Sequence, residues 1–308
     1  MEPPAENSKV FKSYKHAISH LGFFARFGGA FGAATIIAVY IIAVANHDID
    51  PYKSYVSDAS GDPPQSGLFG LCVVIMIVMG FPVMYLHHMR NQVTMEATGC
   101  VGERLNRVAL ASGALSCLGM AVVALNPVSH VRRDGQWMWP VFLPHVVGAV
   151  LFFATAYAHM LVQTRLMYTM AGAPGGFPVA GTVRVKTLLT TIASVCVVFM
   201  ILFAPMGEAF FIKGKPDTFG EAAYNFRSMS VRLFEALPPE YVNQSLFQQY
   251  SRNYPPSASF SIAAEWVFVF CYLLYFATYA SDFRDCTFFL DIYVRDYAAP
   301  PPHPPHEL

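Results

Sequence analysis

Six apolar runs of about 20 residues each dominate this chain: Gly22–Asn46, Gly67–His87, Leu105–Leu125, Val141–Gln163, Thr187–Ala204 and Ser259–Ala280. Each is long enough to cross a hydrocarbon core of roughly 30 Å as a helix. Lipid offers the backbone no hydrogen-bond partners, so a spanning segment must be a helix or a strand of a closed barrel. The runs lack the two-residue alternation of barrel strands and are about twice as long as such strands. The expected fold is therefore all-α, a polytopic membrane protein with six transmembrane helices. Composition agrees: 55% of the 308 residues are hydrophobic and 13% are charged, where ordinary soluble domains carry about a quarter. With a formal net charge of zero, nothing in the bulk charge draws the chain to nucleic acid. Membrane lipids are the partner that the composition implies.

Topology follows from where the positive charges fall. Six spans with the amino terminus inside put Lys9, Lys12, Lys15, Arg26, Arg90, Arg104, Arg107, Arg165, Arg184, Lys186, Arg284 and Arg295 on the cytosolic side. The two short outer loops then carry Lys53, Arg132 and Arg133. Basic residues concentrate in short cytoplasmic loops, so both termini are expected in the cytosol. The first 20 residues are polar, and the apolar run after them exceeds the core of a cleavable signal, so it reads as a signal anchor. The expected organisation is an amino-terminal tail (1–20), a six-helix domain (21–285) with a long outer loop (205–258), and a proline-rich tail (286–308). The sequon Asn243-Gln244-Ser245 falls in that outer loop and is a glycosylation candidate. Cys72, Cys117, Cys196 and Cys271 lie within spans. Cys100 and Cys286 lie in cytosolic segments next to the membrane and are candidates for palmitoylation.

The first outer loop is turn-rich in a specific way. Pro51, Pro63 and Pro64 restrict their own backbone and that of the residues before them, while Asp58, Ser60, Gly61 and Asp62 form turns. Such a loop is expected to be a fixed cap on the helices. Ionisable residues inside a membrane are costly and invite a functional reading. His145 in the fourth run and Glu265 in the sixth both sit near the outer end. Asn126 and Asp58 are expected at the same depth, so the four are candidates to meet. Two chemistries are open to them: a general-base site on a lipid headgroup or ester, or a structural network with Glu265 and His145 as an ion pair tied to the cap. A metal ligand set is the weakest reading, since the chain has no HExxH, no Gly-x-Ser-x-Gly and no phosphate-binding loop. No metal or cofactor is expected.

The other polar residues have structural readings. His87 and His88 are adjacent on a helix and so face different ways. His159 reads as a satisfied interior histidine, and Arg26 as a side chain that snorkels to the headgroups. Tyr272, Tyr275 and Tyr279 share one helical face and read as packing residues. Gly28 and Gly32 form a GxxxG, and Ser112, Gly113, Ser116, Cys117 and Gly119 make a small-residue stripe, both suited to close helix packing in one chain. The tail segment 298–306 is polyproline-like and solvated. A protein partner that reads proline is the lesser reading of it.

The loop residues Pro51, Tyr55, Val56, Ser57, Asp58, Pro63, Pro64, Ser66 and Phe69 resemble the P-x(3)-Y-[IV]-S-D-x(4)-PP-x-S-x(2)-F pattern of the DRAM (damage-regulated autophagy modulator) membrane proteins. These, with the transmembrane-150 branch, belong to the wider Frag/DRAM/Sfk superfamily. Asn106 and Leu115–Gly119 are similar to the family's third span, and His145, Gly148 and Ala149 to its fourth. Glu265, Trp266, Tyr275, Phe276, Thr278, Asp282 and Phe283 are similar to its sixth span and exit. The resemblance covers most of residues 20–290. Gln65 stands where the family often has Glu, the fifth loop is longer than the family's, and the proline-rich tail has no counterpart. The resemblance implies a non-enzymatic modulator of autophagy or of lysosomal and phosphoinositide-linked signalling, in lysosomal, endosomal or plasma membranes. A second branch remodels the lipid of GPI anchors. It implies the alternative of an outer-leaflet lipid-binding or lipid-remodelling protein using Asp58, His145 and Glu265.

Overall fold

The computed structural model describes residues 10–18, 20–46, 48–49, 51–128, 139–173, 180–203, 257–284 and 286–295. Among them are six helices long and apolar enough to cross a membrane. They are α1 (Leu21–Ala45), α3 (Gln65–Thr98), α4 (Glu103–Leu125), α5 (Trp139–Ala171), α6 (Ala180–Phe203) and α7 (Ala258–Ala277). Two single-turn helices complete the set: α2 (Val56–Ala59) in the first loop, and α8 (Tyr279–Asp282), which prolongs α7. Each span packs against the spans before and after it, and α7 returns to α1. The six thus close into a sequential ring. Large apolar side chains such as Ile41, Leu71, Val78 and Leu202 stand exposed on the outside, where lipid covers them.

The ring is tight where side chains are small. A Cβ on Gly119 would stand 2.6 Å from the backbone nitrogen of Phe152 and 2.8 Å from the carbonyl oxygen of Gly148. The α4 and α5 backbones therefore touch at this point. Gly29 does the same for ring closure, where an added Cβ would lie 2.8 Å from the Leu273 carbonyl oxygen and 3.0 Å from the Ala277 methyl. Close approach through small residues supplies the packing attraction that hydrophobicity cannot supply between helices in lipid. The GxxxG residues are used within the chain: Gly28 faces Phe276, and Gly32 faces Leu273 and Met76.

The ring has two ends. The loop end holds the carboxyl ends of α1, α4 and α6 and the amino ends of α3, α5 and α7. The tail end holds the opposite termini. Several helices outrun the apolar segments: α3 continues to Thr98, 11 residues past His87, and α6 begins at Ala180, seven before Thr187. Helical structure continues through polar sequence there because neighbouring helices still bury one face, as at Asn91 and Met95. The two tails also meet. Strand β1 (Val10–Ile18) pairs antiparallel with β2 (Phe288–Arg295), joining Ile18 to Phe288 and Val10 to Arg295. Reading the tails as separate segments misses this ribbon, which holds both on the same side of the ring. Asn243, the loop 205–256, Arg132, Arg133 and the segment 298–306 lie outside the described residues.

Candidate functional site

At the loop end, the first loop is fastened to the ring by side chains from three spans. The N–H of Val56 donates to Glu265 Oε1 (2.9 Å), and the Trp266 indole N–H donates to the Ser54 carbonyl (2.9 Å). The Tyr40 hydroxyl donates to the Pro51 carbonyl (2.9 Å), and the Tyr40 and Trp266 rings meet edge to face at 5.4 Å. Asp58 closes the turn internally, its Oδ2 accepting from the Tyr55 N–H at 3.0 Å, the reciprocal half of a capping box. A cis peptide joins Pro63 to Pro64, and α3 starts directly after it. Gln65 Nε2 then donates to Asp48 Oδ2 (2.9 Å). Burial pushes the Tyr55 phenol up to about 12; the nearby Glu265 carboxylate adds to the rise and the Ser261 hydroxyl opposes it.

The four polar residues expected to meet here divide into two pairs. Asp58 and Glu265 accept from consecutive N–H groups, those of Tyr55 and Val56, at the start of the same helical turn. His145 Nδ1 donates to the Asn126 carbonyl at 2.6 Å, where Asn126 ends α4. Glu265 is therefore engaged by loop backbone and His145 by the end of a neighbouring helix. The expected Glu265–His145 ion pair is absent among the described residues. The physical reason is that each group has a backbone partner closer at hand.

The larger polar cluster lies at the tail end. Asp282, at the end of α8, forms an ion pair with Lys186 of α6, and Asp282 Oδ2 also binds His87 Nε2 of α3 at 2.9 Å. Lys186 is fully buried, with its ammonium 4.6 Å from the centre of the Tyr279 ring and 5.5 Å from that of Tyr275. Counting Lys186 among the cytosolic loop charges is thus corrected, because α6 begins about two turns earlier than its apolar run. Around this pair, Thr164 bonds Thr190 (3.0 Å) and Tyr275 (2.9 Å); further toward the middle of the ring, Tyr272 bonds Ser116 (2.8 Å). The tyrosine face read as packing is also a hydrogen-bonding face.

Donor logic sets the protonation states. Arg90 can only donate, so Asn91 Oδ1, 3.1 Å from it, must accept. Asn91 Nδ2 therefore points its hydrogens at His87 Nδ1 (3.2 Å) and at Asn106 Oδ1 (3.4 Å). Gln163 Nε2 lies 3.3 Å from the same His87 nitrogen. With His87 Nδ1 accepting, Nε2 carries the hydrogen and donates to Asp282. His87 is neutral, and Lys186 with Asp282 makes a net-neutral pair. His159 is arranged similarly: Nδ1 donates to the Ala109 carbonyl (2.7 Å), so Nε2 accepts from the Tyr279 hydroxyl (2.5 Å). His88 turns away from its neighbour and donates to the Asn106 carbonyl (3.2 Å).

Glu265 and Asp282 are 17 residues apart along one helical path, about 26 Å at 1.5 Å per residue. That separation is close to the roughly 30 Å thickness of a hydrocarbon core. Between them the ring interior contains a cavity of about 100 Å³ with an almost wholly apolar lining. No group of three or more His, Cys, Asp or Glu among the described residues is placed to hold a metal. Cys100 follows α3 and Cys286 follows α8, both half-buried at the tail end; the Cys286 thiol faces the Asp282 carbonyl at 3.6 Å.

Comparison with known proteins matches these elements as a unit. Residues 20–286 fit the family model described as the Frag1/DRAM/Sfk1/Cwh43P N-terminal domain, which takes in every span and both charged sites. DNA damage-regulated autophagy modulator protein 2 of Mus musculus is 36% identical over 137 residues, 44% of this chain and 47% of the relative. The Homo sapiens form is 33% identical over 138 residues, 45% and 48% of the two chains. The chain thus spans about half the length of these relatives. DNA damage-regulated autophagy modulator protein 1 of Mus musculus matches more fully, at 24% identity over 271 residues, 86% of this chain and 91% of the relative. No solved structure matches. A six-span ring whose family match begins with α1 and ends just past α8 makes this chain a member of the Frag1/DRAM/Sfk1/Cwh43P family of multi-pass membrane proteins.

Proposed function

We propose that this protein is a non-catalytic modulator of autophagy, acting from a lysosomal, endosomal or plasma membrane with both termini in the cytosol. One observation carries the reading. The ionisable groups Glu265, Lys186 and Asp282 inside the ring, on a chain that aligns with autophagy modulators over most of its length, are each engaged in holding helices or loop together. Glu265 fixes the loop, and the Lys186–Asp282 pair with His87 ties α3, α6 and α8. What supports the orientation is charge: Arg26, Arg90, Arg104, Arg107, Arg165, Arg184 and Arg284 gather at the tail end, against Lys53 among the described loop-end residues. Membrane lipids and proteins that read the tails are the partners this arrangement suits.

The test is autophagic flux in cells lacking the protein, measured as turnover of an autophagosome marker with and without a block of lysosomal acidification. Flux changes on loss and returns on re-expression. Unchanged flux in cells that normally make the protein would remove the proposal. Accessibility of terminal tags in intact and permeabilised cells tests the orientation, since tags reached without permeabilisation contradict it.

A further inference from the structure

We propose that the cavity inside the helix ring binds the acyl chain of a membrane lipid. Its shape is the first reason. Along α3 it is lined by Phe69, Val73, Met76, Ile77, Gly80 and Met84, spaced as one face of a helix. From Phe69 to Met84 is 15 residues, about 22 Å at the helical rise. The lining that α3 contributes therefore runs parallel to the spans, the direction in which lipid tails lie. Val269 and Leu273 of α7 face it from the other side.

Chemistry is the second reason. An apolar cavity of about 150 Å³ stays dry and takes up hydrocarbon rather than water, and this one measures about 100 Å³, room for a short segment of one chain and not for its whole length. Its polar edge, the Ser116 and Tyr272 hydroxyls, is self-satisfied at 2.8 Å, so an occupant need supply no hydrogen bond. The thioethers of Met76, Met84 and Met120 adjust to an irregular occupant. Phe276 narrows the cavity, standing so close to α1 that a Cβ on Gly28 would lie 3.0 Å from its ring. A flexible chain passes such a constriction where a rigid fused ring does not. On the α3 side there is room: a Cβ on Gly80 would stand 3.7 Å from the same ring, an ordinary contact.

The test uses purified protein in phosphatidylcholine nanodiscs doped with a phosphatidylcholine carrying a photoreactive diazirine at mid-chain, with adducts mapped by mass spectrometry. Adducts are expected on the interior residues Val73, Met84 and Leu273. They should saturate as the photolipid fraction rises, while adducts on lipid-facing Leu71 and Val78 rise in proportion. Gly80→Leu should lower the interior adducts about tenfold, the factor given by a loss of 1.4 kcal/mol. Gly67→Leu, at an exposed position where an added Cβ meets nothing within 4 Å, should leave them unchanged. Adducts confined to Leu71 and Val78, or interior adducts that never saturate in the unmodified protein, would overturn the proposal, whatever the folding of the variant. Preferential interior labelling by a photoreactive sterol would overturn the choice of an acyl chain. The experiment is read on isolated protein, so its outcome is separate from that of the autophagy measurement.

Discussion

Removing Lys186 alone should be among the most damaging single changes in the ring. In the native chain its ammonium pairs with Asp282, and the two side chains are 0% and 3% exposed. Lys186→Met leaves the Asp282 carboxylate with the neutral His87 as its remaining side-chain partner, in a site water does not reach. Breaking a buried pair from one side costs about 3–5 kcal/mol, because one charge stays uncompensated. Asp282→Asn added to Lys186→Met removes that charge. The asparagine Oδ1 can still accept from His87 Nε2, and the methionine joins Met167 and Met170, both already buried there. The double variant should return to within about 1–2 kcal/mol of the native protein, since an uncharged, well-packed replacement is often near neutral. Thermal unfolding in mild detergent reads this directly. At about 2–4 °C per kcal/mol for a domain of this size, the single variant melts roughly 10 °C lower and the double recovers most of the loss. If the double variant is as unstable as the single, the cost is packing and not charge, and the protonation scheme around His87 is wrong.

Other outcomes follow from the same contacts. Gly119→Ala puts a methyl 2.6 Å from the Phe152 nitrogen and should cost about 1–3 kcal/mol by forcing α4 from α5. Gly67→Ala, with open space around it, should be near neutral, and equal melting points for the two would refute the crossing. Tyr55 gives the cap an alkaline pH dependence. Its proton is held more tightly when folded, near 12 against the ordinary 10.0, so this contribution is complete below pH 10 and lost as pH rises toward 12. Tyr55→Phe should remove that alkaline decline; a decline of the same size in the variant assigns it elsewhere.

Much of the architecture was legible because lipid leaves few choices. Apolar length alone locates the spans, and a helix is the one open structure that satisfies its own backbone there. The loop's proline and aspartate pattern likewise marks a fixed cap, since those residues constrain the chain whatever surrounds it. Lys186 was missed because an apolar run is a threshold on composition, and helices do not stop at thresholds. Its register gave it away all the same: the buried residues Val183, Lys186, Thr190, Ala193 and Cys196 recur every three or four positions, so the lysine is in phase with the inward face. His87 and Asn91 on α3 continue the stripe of Gly80, Val83 and Met84 in the same way. Glu265 was visible as a buried acid, but its partner is a backbone N–H 209 residues away in sequence, and backbone donors leave no mark in residue type. The pairing of the two tails was equally hidden, because a two-stranded ribbon depends on where the ring delivers its ends.

The central claim is that the ionisable groups inside the ring hold the protein together and do not act chemically, and Glu265→Leu tests it most directly. The substitution leaves the Val56 N–H without the acceptor it has at 2.9 Å and frees the cap. An unsatisfied buried donor costs about 1–3 kcal/mol. In cells lacking the native chain, the measurement is autophagic flux per folded, correctly located molecule of the re-expressed variant. Folded yield, location and flux are expected to fall together, so that flux per folded molecule stays at the native value. A variant that folds and reaches its membrane in native amounts yet restores no flux would contradict the account and give Glu265 a role beyond holding the cap.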